Sequence, residues 1–137
     1  MSSFKLTVLG SSSALPTVNK YPSCHLLDVH EQFYLIDAGE GVQMQLKRYG
    51  VNPMRINHIF ISHLHGDHVY GLFGLLSTLG LLGRERALEI YGPAPLREML
   101  EAHHRFFDKH LPYERVIHEV DPQKAACIYE NKVMTVE

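Results

Sequence analysis

The feature that most constrains this chain is a cluster of metal-binding residue types at 63–68 (HLHGDH), directly after an apolar run. Alternate side chains of an extended segment point to the same side, so His63 and His65 can chelate one ion. The glycine that follows permits a tight bend, after which Asp67 and His68 can turn toward a second ion. Imidazole and carboxylate groups suit zinc, iron or manganese better than copper(I). The spacing therefore predicts a two-metal site.

A pair of such ions favours the hydrolysis of phosphate esters. Two ions a few ångströms apart generate hydroxide at neutral pH and stabilise both the attacking and the leaving oxygens. The structural alternative is a polar turn in which the histidines are incidental. We favour the metal site, because four ligand-type side chains fall between a predicted buried strand and a predicted helix.

Asp37 is a second candidate site residue. It follows the apolar run at 33–36 and precedes an Ala-Gly pair. This position predicts that Asp37 lies under the metal loop and orients one of its groups by a hydrogen bond. The alternative is an ordinary aspartate that caps a turn.

The hydrophobic pattern predicts a single domain over residues 1–137 in which strands and helices are mixed. The predicted strands are 4–9, 25–29, 33–37, 56–61, 88–91, 115–120 and 132–136, and the predicted helices are 42–49, 68–79 and 95–107. This arrangement indicates an α/β or α+β sheet protein.

Composition and charge indicate in which compartment the protein works, but they do not identify its partners. Cys24 and Cys127 are too few for a disulfide framework, which predicts two reduced thiols in a cytoplasmic protein. The longest apolar stretch, 69–82, is too short to span a membrane. A net charge of −2 gives no bulk support for nucleic-acid binding. A local basic patch and an ordinary solvated surface both remain open for the cations Lys47, Arg48, Arg55, Arg84 and Arg86.

Several further motifs resemble one known family. They are LGSSSALPT at 9–17, LIDAGEGVQ at 35–43, IFIS at 59–62 leading into the histidine loop and GLFGLL at 71–76, and IYGP at 90–93. Together, and in this order, they resemble the ribonuclease Z family of the metallo-β-lactamase superfamily, endonucleases that trim tRNA 3′ ends. The histidine motif alone would indicate only the superfamily.

The resemblance implies an αββα sandwich with two zinc ions at one edge. It assigns His63 and His65 to one zinc, and Asp67 and His68 to the other. It also gives Asp67 a catalytic role, in which it orients or deprotonates a metal-bridging hydroxide that attacks the phosphodiester. The implied substrate is precursor tRNA, which is cut to a tRNA with a 3′-hydroxyl and a trailer with a 5′-phosphate. Members of the family are commonly homodimers.

The resemblance also implies that this chain is an incomplete, N-terminal portion of the fold. The family's remaining ligands, which are two further histidines and a bridging aspartate, would lie beyond Glu137. Since each metal keeps two ligands here, we expect the 137-residue chain to bind zinc partially or not at all and to be inactive. We also expect uncovered apolar surface that is buried by dimerisation or by a partner. The histidines outside the pattern are predicted to be surface or structural residues, namely His103, His104, His110 and His118.

Two other interpretations stay open. One is a different hydrolase on the same fold, acting on a small ester, a thioester, a lactam or a cyclic nucleotide. The other is a non-catalytic half-domain that only associates with another chain.

Overall fold

A computed structural model of the protein describes residues 3–137. The strands are β1 (Phe4–Gly10), β2 (Cys24–Val29), β3 (Gln32–Ile36), β4 (Ile56–Phe60), β5 (Leu88–Gly92), β6 (Arg115–Glu119), β7 (Tyr129–Glu130) and β8 (Thr135–Val136). The helices are α1 (Val42–Arg48), α2 (Gly66–Leu81) and α3 (Pro95–Phe106), and a short 3₁₀ turn covers Pro53–Arg55.

The first six strands form one sheet in chain order. β1, β2 and β3 are antiparallel neighbours, whereas β3 to β6 are parallel. His30 and Glu31 join β2 to β3 with φ of 51° and 65°, as in the tight turns that match the twist of a hairpin. Each parallel pair instead needs a long crossover, which α1, α2 and α3 supply.

The helices cover one face of the sheet and form the main core with it. Alternate strand residues, among them Leu35, Ile59 and Ile90, are fully buried against the leucines of α2 and α3. α2 has the widest apolar surface of the three helices, and its buried residues are Val69, Gly71, Leu72, Leu75, Leu76 and Leu79. This packing holds the beginning of α2 against the strand ends that precede it.

The opposite face of the sheet is only partly covered. Tyr34, Phe60 and Tyr91 form a second cluster there, which packs against the small hairpin β7–β8. Farther along the same face, Phe4, Leu6 and Val8 of β1 are 71%, 54% and 47% exposed. β1 therefore presents an uncovered apolar row, which we call the β1 row.

The predicted mixture of strands and helices is confirmed, and most element ends fall within two residues of the prediction. The predicted strand at 132–136 is confirmed only at its end, β8, because Asn131 turns the chain between β7 and β8 and accepts the N–H groups of Val133 and Met134. No described helix is long and apolar enough to cross a membrane.

Arg84 does not belong to a basic surface patch. Arg84 is only 1% exposed. Its guanidinium donates to the carbonyls of Ile56, Arg86 and Ala87 at 2.7–2.9 Å. It also donates to the side-chain oxygen of Asn57 at 3.0 Å. Burial lowers the pKa of this guanidinium. The side chain connects the end of α2 to the beginnings of β4 and β5, and so has a structural role.

Candidate metal centre

The candidate site lies at the carboxyl ends of two neighbouring parallel strands. Asp37 follows β3, and Ser62 and His63 follow β4, so strand pairing brings them to one edge of the sheet. The Asp37 N–H donates to the Phe60 carbonyl at 2.8 Å, which continues the pairing by one residue. This edge of an open α/β sheet is where ligands generally bind.

The carboxylate of Asp37 is the centre of the hydrogen-bond network. The residue is 4% exposed and has φ of +60°, a conformation that costs energy for a residue with a side chain. Its Oδ1 accepts the Ser62 N–H at 2.8 Å, and its Oδ2 lies 2.6 Å from Nδ1 of His68. The Ser62 hydroxyl lies 2.9 Å from both carboxylate oxygens. The buried Asp37 carboxylate thus contacts Ser62, directly before the histidine motif, and His68, the last residue of that motif.

The three histidine rings of the loop lie side by side. The centroid of His63 is 3.9 Å from that of His68 and 4.7 Å from that of His65. Nδ1 of His63 lies 3.0 Å from the Ser62 hydroxyl, and Nε2 of His68 lies 3.4 Å from Oδ2 of Asp67. The four predicted ligands are therefore neighbours, with Asp67 and His68 in the first turn of α2.

Backbone contacts join the Asp37 turn to the beginning of α2. The Ala38 N–H donates to the His68 carbonyl at 2.8 Å, and the Ala38 carbonyl accepts the Gly71 N–H at 2.9 Å. A methyl group on Gly39 would lie 2.6 Å from the Asp67 carbonyl oxygen, too close for any other residue type without displacement. The turn and the helix thus set the position of the two ligands in α2.

The donor set of the cluster suits zinc. Ligand histidines usually donate their second ring N–H to a carboxylate, which orients the ring and leaves the other nitrogen free. The contact of His68 Nδ1 with Asp37 has this form, and it directs Nε2 outward beside Asp67. Over residues 3–137, however, no three His, Cys, Asp or Glu side chains converge on one point.

The other histidines take no part in this cluster. Nδ1 of His103 lies 2.8 Å from Asp108, and His118 contacts Glu89 and stacks on Tyr91 with the ring centroids 4.4 Å apart. The first contact ties α3 to the turn that follows it, and the second connects β6 to β5, so both contacts are structural.

Two residues near the site were not singled out by the sequence. Ser62 contacts Asp37, His63 and His68, and its place between a buried strand and the first histidine was the available signal. Cys24, at the start of β2, is 2% exposed. Burial, and then the negative charge of Asp37, raises the pKa of its thiol to about 12. Cys24 is therefore a neutral packing residue beneath the site.

A protein-family model supplies the decisive comparison. The model described as "Anti-Pycsar protein Apyc1" matches residues 4–105 of the 137. The chain belongs to this family. The matched range contains the whole hydrogen-bonded cluster, from Asp37 to His68.

Curated relatives and solved structures give a consistent result. Ribonuclease Z of Bacteroides fragilis is 45% identical over 136 residues, which are 99% of this chain and 45% of that protein. The crystal structure of human tRNase Z, short form, matches with a TM-score of 0.83 and 30% identity, over 95% of this chain and 57% of that one. The metallo-β-lactamase fold protein YhfI from Bacillus subtilis matches with a TM-score of 0.64 and 25% identity, over 85% and 47% of the two chains.

These comparisons confirm two predictions made from the sequence. The chain resembles ribonuclease Z, and its fold is that of the metallo-β-lactamase proteins. The chain spans about half the length of the curated relatives that it matches.

Proposed function

We propose that the intact protein containing this chain is a zinc-dependent endonuclease that removes the 3′ trailer of precursor tRNA. The observation that carries the proposal is the cluster of His63, His65, Asp67 and His68 joined to the buried Asp37. Its support is the 45% identity to a ribonuclease Z, which runs through this cluster.

Each residue of the cluster has a role in the proposed reaction. His63 and His65 would hold one zinc, and Asp67 and His68 the other. When bound, such a pair of ions supplies Lewis acidity toward a phosphodiester and makes water more acidic. Asp67 would accept a proton from the attacking water, because its carboxylate lies beside the proposed ligand nitrogen of His68, with Oδ2 3.4 Å from Nε2. Asp37 orients His68 from below, and Ser62 connects Asp37 to His63.

Cleavage of precursor tRNA by the intact gene product tests this proposal. We expect a cut at the 3′ trailer that depends on zinc, and a product with a 3′-hydroxyl. Asp67→Asn should remove at least about 99% of the rate, since general-base contributions are typically 10²–10⁴-fold. The matched control is Asp28→Asn, near the end of β2, which should keep the wild-type rate because its carboxylate only accepts the exposed Glu31 N–H. A wild-type protein that leaves precursor tRNA intact would refute the proposal.

The 137-residue chain by itself should bind zinc weakly and cleave nothing. Catalytic zinc usually has about three protein ligands, and the cluster offers two for each ion. Metal analysis of the purified chain after dialysis checks this expectation. Two zinc ions retained per chain would contradict it.

A second candidate is another hydrolase on the same fold. It is favoured by the family model, whose description names Apyc1 and not ribonuclease Z. We therefore propose a direct comparison of precursor tRNA with a cyclic nucleotide, a thioester and a generic phosphodiester. Turnover of a small substrate without cleavage of tRNA would decide for this candidate.

We further propose that the protein works in the cytoplasm as a homodimer. Its two cysteines are unpaired, as is usual in reducing compartments. The β1 row is apolar and exposed on an edge strand, a surface that proteins commonly cover by association.

Light scattering on the 137-residue chain tests the association. Leu6→Lys should dissociate it, whereas Val18→Lys, at a loop residue 97% exposed, should not. A wild-type chain that stays monomeric at high concentration would contradict the proposed homodimer.

A further inference from the structure

Tyr70 is an aromatic residue that packs directly against the metal-binding loop. It lies in α2, one turn after Gly66. Helical side chains point back toward the N-terminus, so the ring covers the turn that contains Gly66. A methyl group on Gly66 would overlap ring atoms of Tyr70. The ring therefore touches the loop backbone between His65 and Asp67.

The outer side of the same ring is open. Tyr70 is 64% exposed, whereas the preceding residue, Val69, is 1% exposed. Tyrosine is a weaker helix former than alanine or leucine, and a ring left mostly in water contributes little burial energy. Neither helix formation nor core packing accounts for an aromatic residue here.

We propose that Tyr70 is a specificity-determining residue on which a nucleobase of the RNA substrate stacks. The proposal rests on the RNA-cleaving function proposed above. Proteins recognise unpaired nucleotides by stacking their bases on aromatic side chains, and every base offers such a face. Because α2 carries Asp67 and His68 as well as Tyr70, one rigid element sets the distance between the stacked base and the reacting phosphate.

A purely structural role predicts different behaviour. If the ring only supported Gly66, its removal would weaken zinc binding and slow every substrate by the same factor. If a base stacks on the ring, removal of the ring lowers kcat/KM only for substrates that contain that base. The two roles are therefore separated by substrates that lack single bases.

The experiment measures kcat/KM of the intact gene product on precursor tRNA and on a set of matched RNAs. Each RNA carries one abasic site near the cleavage position. Tyr70→Ala should lower kcat/KM on the unmodified substrate about 5- to 150-fold, the loss typical of one base–aromatic stack. Tyr70→Phe should stay near wild type, because it keeps the ring. The control is Tyr49→Ala, at the far end of α1, where the tyrosine is 56% exposed.

One abasic position should lower the wild-type kcat/KM by a similar factor and leave Tyr70→Ala unaffected. This non-additivity is the sign of a direct contact. Equal losses on every RNA, or no loss at all, would overturn the role of Tyr70 and leave the nuclease proposal intact. A wild-type protein that cleaves none of the RNAs would overturn both.

Discussion

The substitution Asp37→Asn isolates the charge of the buried carboxylate from its shape. Asparagine tolerates the positive φ of 60° that Asp37 adopts, so the backbone is not strained by the change. Its amide offers one oxygen and one nitrogen. If the oxygen keeps the Ser62 N–H, the NH₂ group faces Nδ1 of His68, where a carboxylate oxygen lay at 2.6 Å. The reverse orientation places the NH₂ group against the Ser62 N–H.

The magnitude follows from the contact that is lost. A hydrogen bond to a charged group contributes about 1.5–3 kcal/mol, so we expect unfolding to become easier by about that amount. His68 can restore its contact only as the other tautomer, which places the proton on Nε2. A protonated Nε2 cannot bind metal, and loss of such an orienting partner typically weakens metal binding about 10- to 100-fold.

Two measurements check this expectation. In the intact gene product, competition with a chromophoric chelator gives the zinc affinity of Asp37→Asn relative to wild type, and ¹⁵N shifts of the His68 ring report its tautomer. Asp28→Asn serves as the control, because its carboxylate only accepts the Glu31 N–H in an exposed turn. Wild-type zinc affinity together with an unchanged tautomer in Asp37→Asn would refute the assigned role of Asp37.

Three other substitutions or treatments test the surroundings of the site. Arg84→Met leaves several buried carbonyls without a donor and should lower the free energy of unfolding by about 3–5 kcal/mol in urea denaturation. Gly71→Ala places a methyl group against the Gly39 carbonyl and should cost about 1–3 kcal/mol while weakening zinc binding. Iodoacetamide at pH 8 should label the exposed Cys127 and spare Cys24, whose pKa is raised to about 12, until the protein is unfolded.

Each of these three tests has its own control or contradicting result. Arg86→Met, at an exposed side chain, should change stability by less than about 0.5 kcal/mol, and an equal loss in both variants would contradict the role of Arg84. The control for Gly71→Ala is Gly74→Ala, whose added methyl group would lie 3.1 Å from the flexible end of the Gln43 side chain. This substitution should leave the free energy of unfolding nearly unchanged. Alkylation of Cys24 in the folded protein would show that the thiol is neither buried nor neutral.

Burial of Cys24 also gives stability a pH dependence. The thiol pKa is raised from an unfolded value near ~8.5 to about 12 in the folded protein. The neutral thiol is therefore favoured by folding, and this contribution is fully present below the unfolded pKa. Stability should decline as the pH rises from about 8.5 toward the folded value. Cys24→Ala should remove that part of the decline in urea denaturation measured between pH 8 and pH 10.

Local patterns were enough to predict most of the secondary structure. The apolar runs of β4 and β5 and the periodicity of α2 each depend on residues close together in the chain. The prediction was only partly right at 132–136, where the structure has a strand over Thr135–Val136 alone. Residues 132–136 are rich enough in strand formers to indicate one strand, but the Asn131 side chain binds two following N–H groups and produces a hairpin.

The sequence by itself determined that four ligand-type residues lie together, because residues within one short loop are adjacent in any conformation. It also indicated that Asp37 would lie near them, since both segments follow buried strands. Only the tertiary structure decided how these groups meet. Asp37 reaches Ser62 and His68 across 25 and 31 residues, which requires β3 and β4 to pair in one particular register. The same packing buries Arg84 and holds the ring of Tyr70 against the loop, contacts that no local pattern of residues encodes.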